Sequence, residues 1–139
     1  MDLYADQILD HYKNPRHAGP LAGAQAHHEE VNLSCGDRMK IETIVDGNGV
    51  LADIGWTGSG CAISQAGMSL LAEKVVGRPV EELLSFKKPD VLELLGVPVS
   101  ERRMKCALLG LHALQNALRL QQGLPVRSWA ETVADTPIA

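Results

Sequence analysis

Four residues, Asp46–Gly49, constrain the fold of this chain more than any other stretch. Their order is Asp-Gly-Asn-Gly, and glycine and asparagine tolerate the positive φ angles that a tight reversal needs. Apolar and polar residues alternate over 39–46 and over 50–57, which is the period of a strand with one buried face. Residues 25–32 are predicted as a further strand. The sequence therefore predicts an antiparallel meander of three strands.

Before and after these three strands, apolar residues recur at the spacing typical of helices. The predicted helices are 2–13 with Asp2 as its N-cap, 61–76, 79–84, 89–95 and 100–122 with Ser100 as its cap. The last of these has an apolar stripe formed by Met104, Ala107, Leu108, Leu111, Leu114 and Leu118. We expect an α+β fold in one domain, residues 1–126, followed by a partly disordered C-terminal tail, residues 127–139.

Composition narrows the classes of function. The 139 residues have a formal net charge of -4, so a nucleic-acid partner is not expected. No apolar run reaches the eighteen or so residues of a membrane span, and the N-terminus lacks the pattern of a secretory signal. The sequence therefore predicts a cytoplasmic protein, in which three cysteines are free, catalytic or metal-bound rather than paired.

The three cysteines are far apart in the sequence, so only the fold can bring them together. Cys35 lies in the first predicted reversal and Cys61 follows the third strand, which places both at one end of the sheet. Cys61 also precedes a predicted helix, whose N-terminus favours a thiolate. Cys106 lies in the first two turns of the last helix. Asp37 adds an oxygen ligand close to Cys35.

These residues permit more than one interpretation. Each cysteine taken singly is most simply a small buried apolar residue, but the glycines flanking Cys35 and Cys61 favour loops and a shared site. Three thiolates and a carboxylate suit zinc, and the thiolates also suit an iron–sulfur cluster. Arg103 and Lys105 are either solvated charges at the start of a helix or groups that favour a thiolate or an acidic partner surface. None of the five histidines is included in the site.

Four stretches resemble one known family from about Tyr4 to Gln122. They are Asp10-His11-Tyr12-Lys13-Asn14-Pro15-Arg16, Cys35-Gly36-Asp37, Gly58-Ser59-Gly60-Cys61-Ala62-Ile63-Ser64 and Arg103-Met104-Lys105-Cys106-Ala107. With these, the sequence resembles the IscU/SufU family of iron–sulfur cluster assembly proteins. The resemblance implies a three-stranded antiparallel sheet with helices on one side, and it implies that Cys35, Asp37, Cys61 and Cys106 converge.

The resemblance implies two related tasks. IscU-like members assemble a cluster with sulfur delivered as a persulfide by a cysteine desulfurase, whereas SufU-like members bind zinc and relay sulfur. Lys105 before Cys106 is similar to the SufU pattern, while the interval from Cys61 to Cys106 is similar to the shorter IscU spacing. Leu33-Ser34 replaces the proline-containing segment expected before Cys35 and leaves every candidate ligand in place.

From this resemblance we form one hypothesis. The protein is a sulfur acceptor and scaffold that holds zinc at rest through Cys35, Asp37, Cys61 and Cys106 and carries a transient iron–sulfur cluster on the three cysteines. Sulfur from the desulfurase is accepted by Cys35, with Cys106 as the alternative, and Asp37 keeps the site exchangeable. Apo iron–sulfur proteins or a carrier receive the product. The rival hypotheses are a structural zinc domain that only binds a partner, and a metal-free thiol enzyme.

Overall fold

The computed structural model describes residues 3–33 and 36–132 of the chain. Its strands are β1 (Ala26–Asn32), β2 (Asp37–Val45) and β3 (Leu51–Ser59), and its helices are α1 (Leu3–Lys13), α2 (Ala62–Val75), α3 (Val80–Leu84), α4 (Lys88–Leu95), α5 (Met104–Gln121) and α6 (Trp129–Thr132). A 3-10 turn, Glu101–Arg103, leads into α5. The predicted α+β fold with a three-stranded antiparallel sheet is confirmed. The predicted N-cap, Asp2, lies outside the described residues.

The sheet has the order β1-β2-β3 with both pairs antiparallel. Asp46 stabilises the predicted hairpin, because its Oδ1 accepts hydrogen bonds from the backbone N–H groups of Asn48 at 2.8 Å and Val50 at 3.1 Å. Gly49 has a φ of 76°, a backbone conformation that glycine adopts without steric cost. The turn chemistry and the alternating pattern therefore specify the same strand pairing.

Helix α5 lies at the centre of the molecule. Every residue from Cys106 to Leu118 is buried, because the helix contacts β1, β2, α2, α4 and α6. The predicted apolar stripe is thus only part of the buried surface. A polar residue on the same helix, Gln115, is satisfied by donating to the backbone carbonyls of Leu83 at 3.0 Å and Phe86 at 2.8 Å, as buried polar groups require.

The stretch from Asp10 to Arg16 ties α1 to the rest of the fold. Arg16 donates to the Asp10 carboxylate at 2.7 Å, and its backbone N–H donates to Ser69 Oγ on α2 at 2.8 Å. Because Ser69 Oγ accepts that bond, its hydroxyl proton is available to His11 Nδ1, which lies 2.7 Å away. Burial lowers the pKa of His11, and the neighbouring Arg16 lowers it further. This motif therefore holds helices together.

The loop after α1 covers the outer edge of β3. The Trp56 backbone N–H donates to the His17 carbonyl at 3.2 Å, and the Gly19 N–H donates to the Trp56 carbonyl at 2.7 Å. The Trp56 indole also donates to the Arg16 carbonyl at 2.8 Å. Covering an edge strand in this way removes unpaired backbone groups that would otherwise template aggregation. None of the helices in the described part of the chain is long and apolar enough to cross a bilayer.

Candidate metal centre

Three chain segments meet at one end of the sheet, and each contributes one side chain of a type that can bind a metal ion. Asp37 is the first residue of β2, Cys61 immediately precedes α2, and Cys106 lies in the first turn of α5. One carboxylate oxygen and the two sulfur atoms all lie within 4.8 Å of one another. Asp37 and Cys106 are 2 % and 3 % exposed, whereas Cys61 is half-buried. Residues remote in sequence are thus brought into one cluster.

Backbone geometry around Cys61 positions the Asp37 carboxylate. The Cys61 N–H donates to Asp37 Oδ1 at 3.2 Å, and the Cys61 thiol lies 3.7 Å from Asp37 Oδ2. The residue before it, Gly60, has a φ of 138°, and a Cβ at that position would collide with the carboxyl group of Asp37. Glycine is therefore required here both by the backbone conformation and by the close approach of the Asp37 side chain.

Asn32 is a site residue that the sequence analysis missed. Its side-chain Nδ2 lies 3.8 Å from Cys106 Sγ, and its backbone carbonyl accepts the N–H of Gly36 at 2.7 Å. The side chain is almost fully buried. A sequence signal was available, because asparagine is depleted in strands and its presence at the end of β1 suggests a specific hydrogen-bonding role.

The structure describes three of the four predicted site residues. The structure brings Asp37, Cys61 and Cys106 together. Cys35, the fourth predicted ligand and the preferred sulfur acceptor, lies outside the described residues. In a tetrahedral zinc site, a sulfur about 2.3 Å from the metal and a carboxylate oxygen about 2.0 Å from it are roughly 3.5 Å apart. Cys61 Sγ lies 3.7 Å from Asp37 Oδ2, and all three donor atoms lie within 4.8 Å of one another, so the residues fit zinc with small side-chain movements.

A cavity of about 320 Å³ opens beside the two described cysteines. It is lined by Cys61, Ser100, Arg102, Arg103 and Cys106. Both arginines come from the exposed 3-10 turn before α5. Lys105 has a different position, since its Nζ lies 5.9 Å from the centroid of the Trp129 ring. The basic residues near Cys106 in the sequence therefore have two different environments. The arginines border the cavity, and the lysine contacts an aromatic ring.

This geometry can be compared with known proteins. Residues 3–124 match the family described as NifU-like N terminal domain. The chain belongs to this family. It is 32 % identical over 138 residues to the zinc-dependent sulfurtransferase SufU of Bacillus subtilis, covering 87 % of this chain and 92 % of that protein. It is 31 % identical over 133 residues to the iron–sulfur cluster assembly scaffold protein IscU of Thermotoga maritima, covering 84 % and 93 %.

Longer proteins also contain the family domain. The chain is 32 % identical over 126 residues to the nitrogen fixation protein NifU of Azotobacter chroococcum, covering 90 % of this chain but only 40 % of that protein. Among solved structures, a candidate iron–sulfur cluster assembly scaffold protein of the SUF system from Fervidobacterium islandicum superimposes with a TM-score of 0.72 and 27 % identity, covering 81 % of this chain and 94 % of its own. The resemblance to IscU and SufU inferred from the motifs is therefore confirmed.

Proposed function

We propose that this protein accepts sulfur from a cysteine desulfurase in the cytoplasm and acts in iron–sulfur cluster assembly, with zinc in its site at rest. The observation that carries the proposal is the meeting of Asp37, Cys61 and Cys106 beside an open cavity. Relatives whose names describe a zinc-dependent sulfurtransferase and a cluster assembly scaffold support it. Both tasks need thiolates that are held close together and remain reachable from solvent.

The proposed zinc ligands are Cys35, Asp37, Cys61 and Cys106. Three thiolates and one carboxylate satisfy a tetrahedral ion, and bound zinc keeps thiols deprotonated and less open to oxidation. Asp37 is the exchangeable ligand of the set, because zinc prefers soft sulfur to a lone carboxylate in a thiolate-rich site. The iron–sulfur cluster is cargo, held on the same cysteines and passed to apo iron–sulfur proteins or a carrier.

The chemical step is a thiol exchange. A thiolate of this chain, that of Cys35 or alternatively Cys106, attacks the terminal sulfur of the desulfurase persulfide. A new S–S bond forms, the donor's S–S bond breaks, and the electron pair leaves with the donor cysteine as its thiolate. The product is a persulfide on this chain. The electrons balance, so no further oxidant or reductant is needed for the transfer itself.

Exposed side chains near the candidate metal centre suit the docking of a sulfur donor. Leu33, which follows Asn32 in the chain, is 91 % exposed, whereas every other exposed large apolar side chain in the described residues is 48 % exposed or less. Arg102 and Arg103 line the cavity. An apolar centre with charged groups at its rim is typical of protein interfaces. We therefore expect the desulfurase to present an apolar pocket with acidic neighbours to this end of the molecule.

A structural zinc domain that only binds a partner is the second candidate function. It is favoured by the near-complete burial of Asp37 and Cys106, which restricts the access of an outside ligand, since in structural zinc sites protein residues occupy all four positions on the metal. The two candidates differ in whether any thiol receives sulfur. They also differ in how readily the zinc ion exchanges, because a structural ion would not need to be exchangeable.

Mass spectrometry of mapped peptides tests the proposal. The zinc-loaded protein is incubated without reductant with cysteine and the cysteine desulfurase of the same organism, and a reaction without the desulfurase serves as the control. One added sulfur on Cys35 supports a relay, and one on Cys106 supports loading at the scaffold site. If the desulfurase is active and no cysteine gains sulfur while zinc is retained, the sulfur-acceptor function is wrong and the structural zinc domain replaces it.

Docking is tested with Leu33→Ser and with Arg102→Glu. We expect each variant to need a higher desulfurase concentration for half-maximal loading while its unfolding midpoint in urea is unchanged. Leu120→Ser is a matched control, because Leu120 is a 42 % exposed leucine near the other end of α5. Equal effects of Leu33→Ser and Leu120→Ser would contradict docking at the cavity.

A further inference from the structure

Residues 127–132, here called the C-terminal strap, cover one face of α5. That face carries Lys105, His112 and Asn116, which are 7 and 4 positions apart and therefore lie above one another on a helix of 3.6 residues per turn. The strap contains the short helix α6 and contacts α5. The strap therefore contributes, together with β1, to the burial of α5 on this face.

Asn116 clamps the start of the strap. Its side-chain oxygen accepts the Arg127 N–H at 2.8 Å, and its Nδ2 donates to the Arg127 carbonyl at 3.1 Å. The same Nδ2 donates to Glu30 Oε2 on β1 at 3.0 Å. One buried amide thus joins the strap, α5 and the sheet, with both of its functional atoms satisfied.

His112 holds the end of the strap. Its Nδ1 lies 2.6 Å from Thr132 Oγ1, and its Nε2 lies 3.4 Å from Glu30 Oε1. The neutral Nε2–H tautomer satisfies both contacts, because the ring then donates to the carboxylate and accepts the threonine hydroxyl. His112 is 2 % exposed. Lys87 adds a contact from its Nζ to the Thr132 carbonyl at 3.4 Å.

Trp129 links this cluster to the candidate metal centre. Its ring stacks on that of His112 with centroids 4.2 Å apart and an interplanar angle of 20°. The Lys105 Nζ lies 5.9 Å from the centroid of the same indole, within the range of a cation–π interaction. Lys105 directly precedes Cys106, so the strap contacts the helical turn that carries a proposed ligand.

We propose that Trp129 is a positioning residue, which holds the Lys105 ammonium away from the cavity and thereby holds the first turn of α5, with Cys106, in its place at the metal centre. Arg102 and Arg103 line the cavity beside Cys61 and Cys106, whereas Lys105 does not. When the strap is released, Lys105 is free to turn and the Cys106 turn loses its lateral support. The effect on the metal rests on the proposed function, but the contact between Lys105 and Trp129 does not.

The contact itself is tested without any metal. Lys105 is acylated with an excess of an N-hydroxysuccinimide ester under single-hit conditions, and its modification rate is read by peptide mass spectrometry. We expect Trp129→Ala to raise that rate about two- to five-fold, the range that an exposed cation–π contact implies, and Trp129→Phe to raise it less. Lys13, an exposed lysine on α1, is the internal control. An unchanged Lys105 rate in Trp129→Ala would overturn the proposal.

The consequence for the metal centre is tested by zinc release to a chelator. We expect faster release from Trp129→Ala, near-normal release from Trp129→Phe, and no additional acceleration when Lys105→Met is combined with Trp129→Ala. Leu51→Ala, in the buried core at the hairpin end of the sheet and thus opposite the end that carries Asp37, controls for general loss of stability. If Leu51→Ala releases zinc as fast as Trp129→Ala, positioning is refuted. If wild-type protein retains no zinc, the proposed function fails, and the acylation result still decides the contact.

Discussion

Replacing Gly60 by alanine tests the construction of the metal centre most directly. Gly60 has a φ of 138°, and its hydrogen occupies the place where a Cβ would meet the Asp37 carboxyl group. A non-glycine residue in so sparsely populated a backbone region costs about 1–3 kcal/mol. The collision adds to this, because Asp37 is buried and accepts the Cys61 N–H at 3.2 Å. Losing that bond while the carboxylate stays buried costs about 1–3 kcal/mol more.

We therefore expect Gly60→Ala to lower the free energy of unfolding by about 2–6 kcal/mol, the sum of these two costs. Equilibrium unfolding in urea, monitored by circular dichroism on metal-free protein, measures the change. Gly77→Ala is the matched control, because Gly77 also has a positive φ of 90° but nothing lies within 4 Å of its missing Cβ. That variant should lose only about 1–2 kcal/mol, the cost of placing alanine in a left-handed conformation.

A double-mutant cycle separates the collision from the backbone strain. In an Asp37→Ala background the carboxyl group is absent, so Gly60→Ala should cost little more than Gly77→Ala does in the wild-type protein. A coupling of about 1 kcal/mol or more between the two sites is expected for groups in direct contact. If the cost of Gly60→Ala is the same with and without the carboxylate, or equals that of Gly77→Ala, the close packing of Gly60 on Asp37 is refuted.

Three further predictions concern other parts of the molecule. Asp37→Ala should slow the release of zinc or of a cluster, since only thiolates remain; release as fast as in wild type would contradict an exchangeable Asp37. Ser69→Ala removes a hydroxyl that joins α1 to α2 and should cost about 1–3 kcal/mol in urea unfolding; a change below about 0.5 kcal/mol would count against this junction. Burial lowers the pKa of His112 below its usual 6.5, although the neighbouring Glu30 carboxylate opposes this shift. The lowered pKa favours the neutral ring when the strap is docked on it, so docking should be strongest above pH 6.5 and weaken as the pH falls below that value. Acrylamide quenching of Trp129 in a Trp56→Phe background should rise below pH 6.5, and a flat profile in pH would contradict the assignment.

Local patterns in the sequence account for most of the secondary structure. The turn at residues 46–49 and the alternation on either side of it need only neighbouring residues, because turn chemistry and a period of two are properties of the local chain. The helix that follows Cys61 was predicted for the same reason. The position of helix α5 in the chain follows from its apolar stripe, but the extent of its burial does not. The stripe indicates one buried face, whereas all residues from Cys106 to Leu118 are buried.

The candidate site likewise has features that residue types predict and features that depend on the fold. The sequence indicates which residue types could bind a metal, and the motifs point to Cys35, Asp37, Cys61 and Cys106 before any distance is known; of these, Cys35 lies outside the described residues. The contributions of Asn32 and Gly60 become clear only in the fold, because each acts through a contact with a residue that is remote in the chain. A single sequence carries no direct information about such contacts.

The C-terminal strap shows the limit of sequence reasoning most clearly. Residues 127–132 have weak periodicity and belong to the tail, residues 127–139, for which the sequence predicts partial disorder; in the structure Trp129 stacks on His112, and the buried Thr132 lies 2.6 Å from His112 Nδ1. Local propensity and residue type are enough to predict the three strands, helices α1 to α5 and the chemistry of the candidate ligands. Which polar side chains become buried partners depends on the fold, because the energy of a buried hydrogen bond or ring contact depends on groups that the chain brings together from far apart.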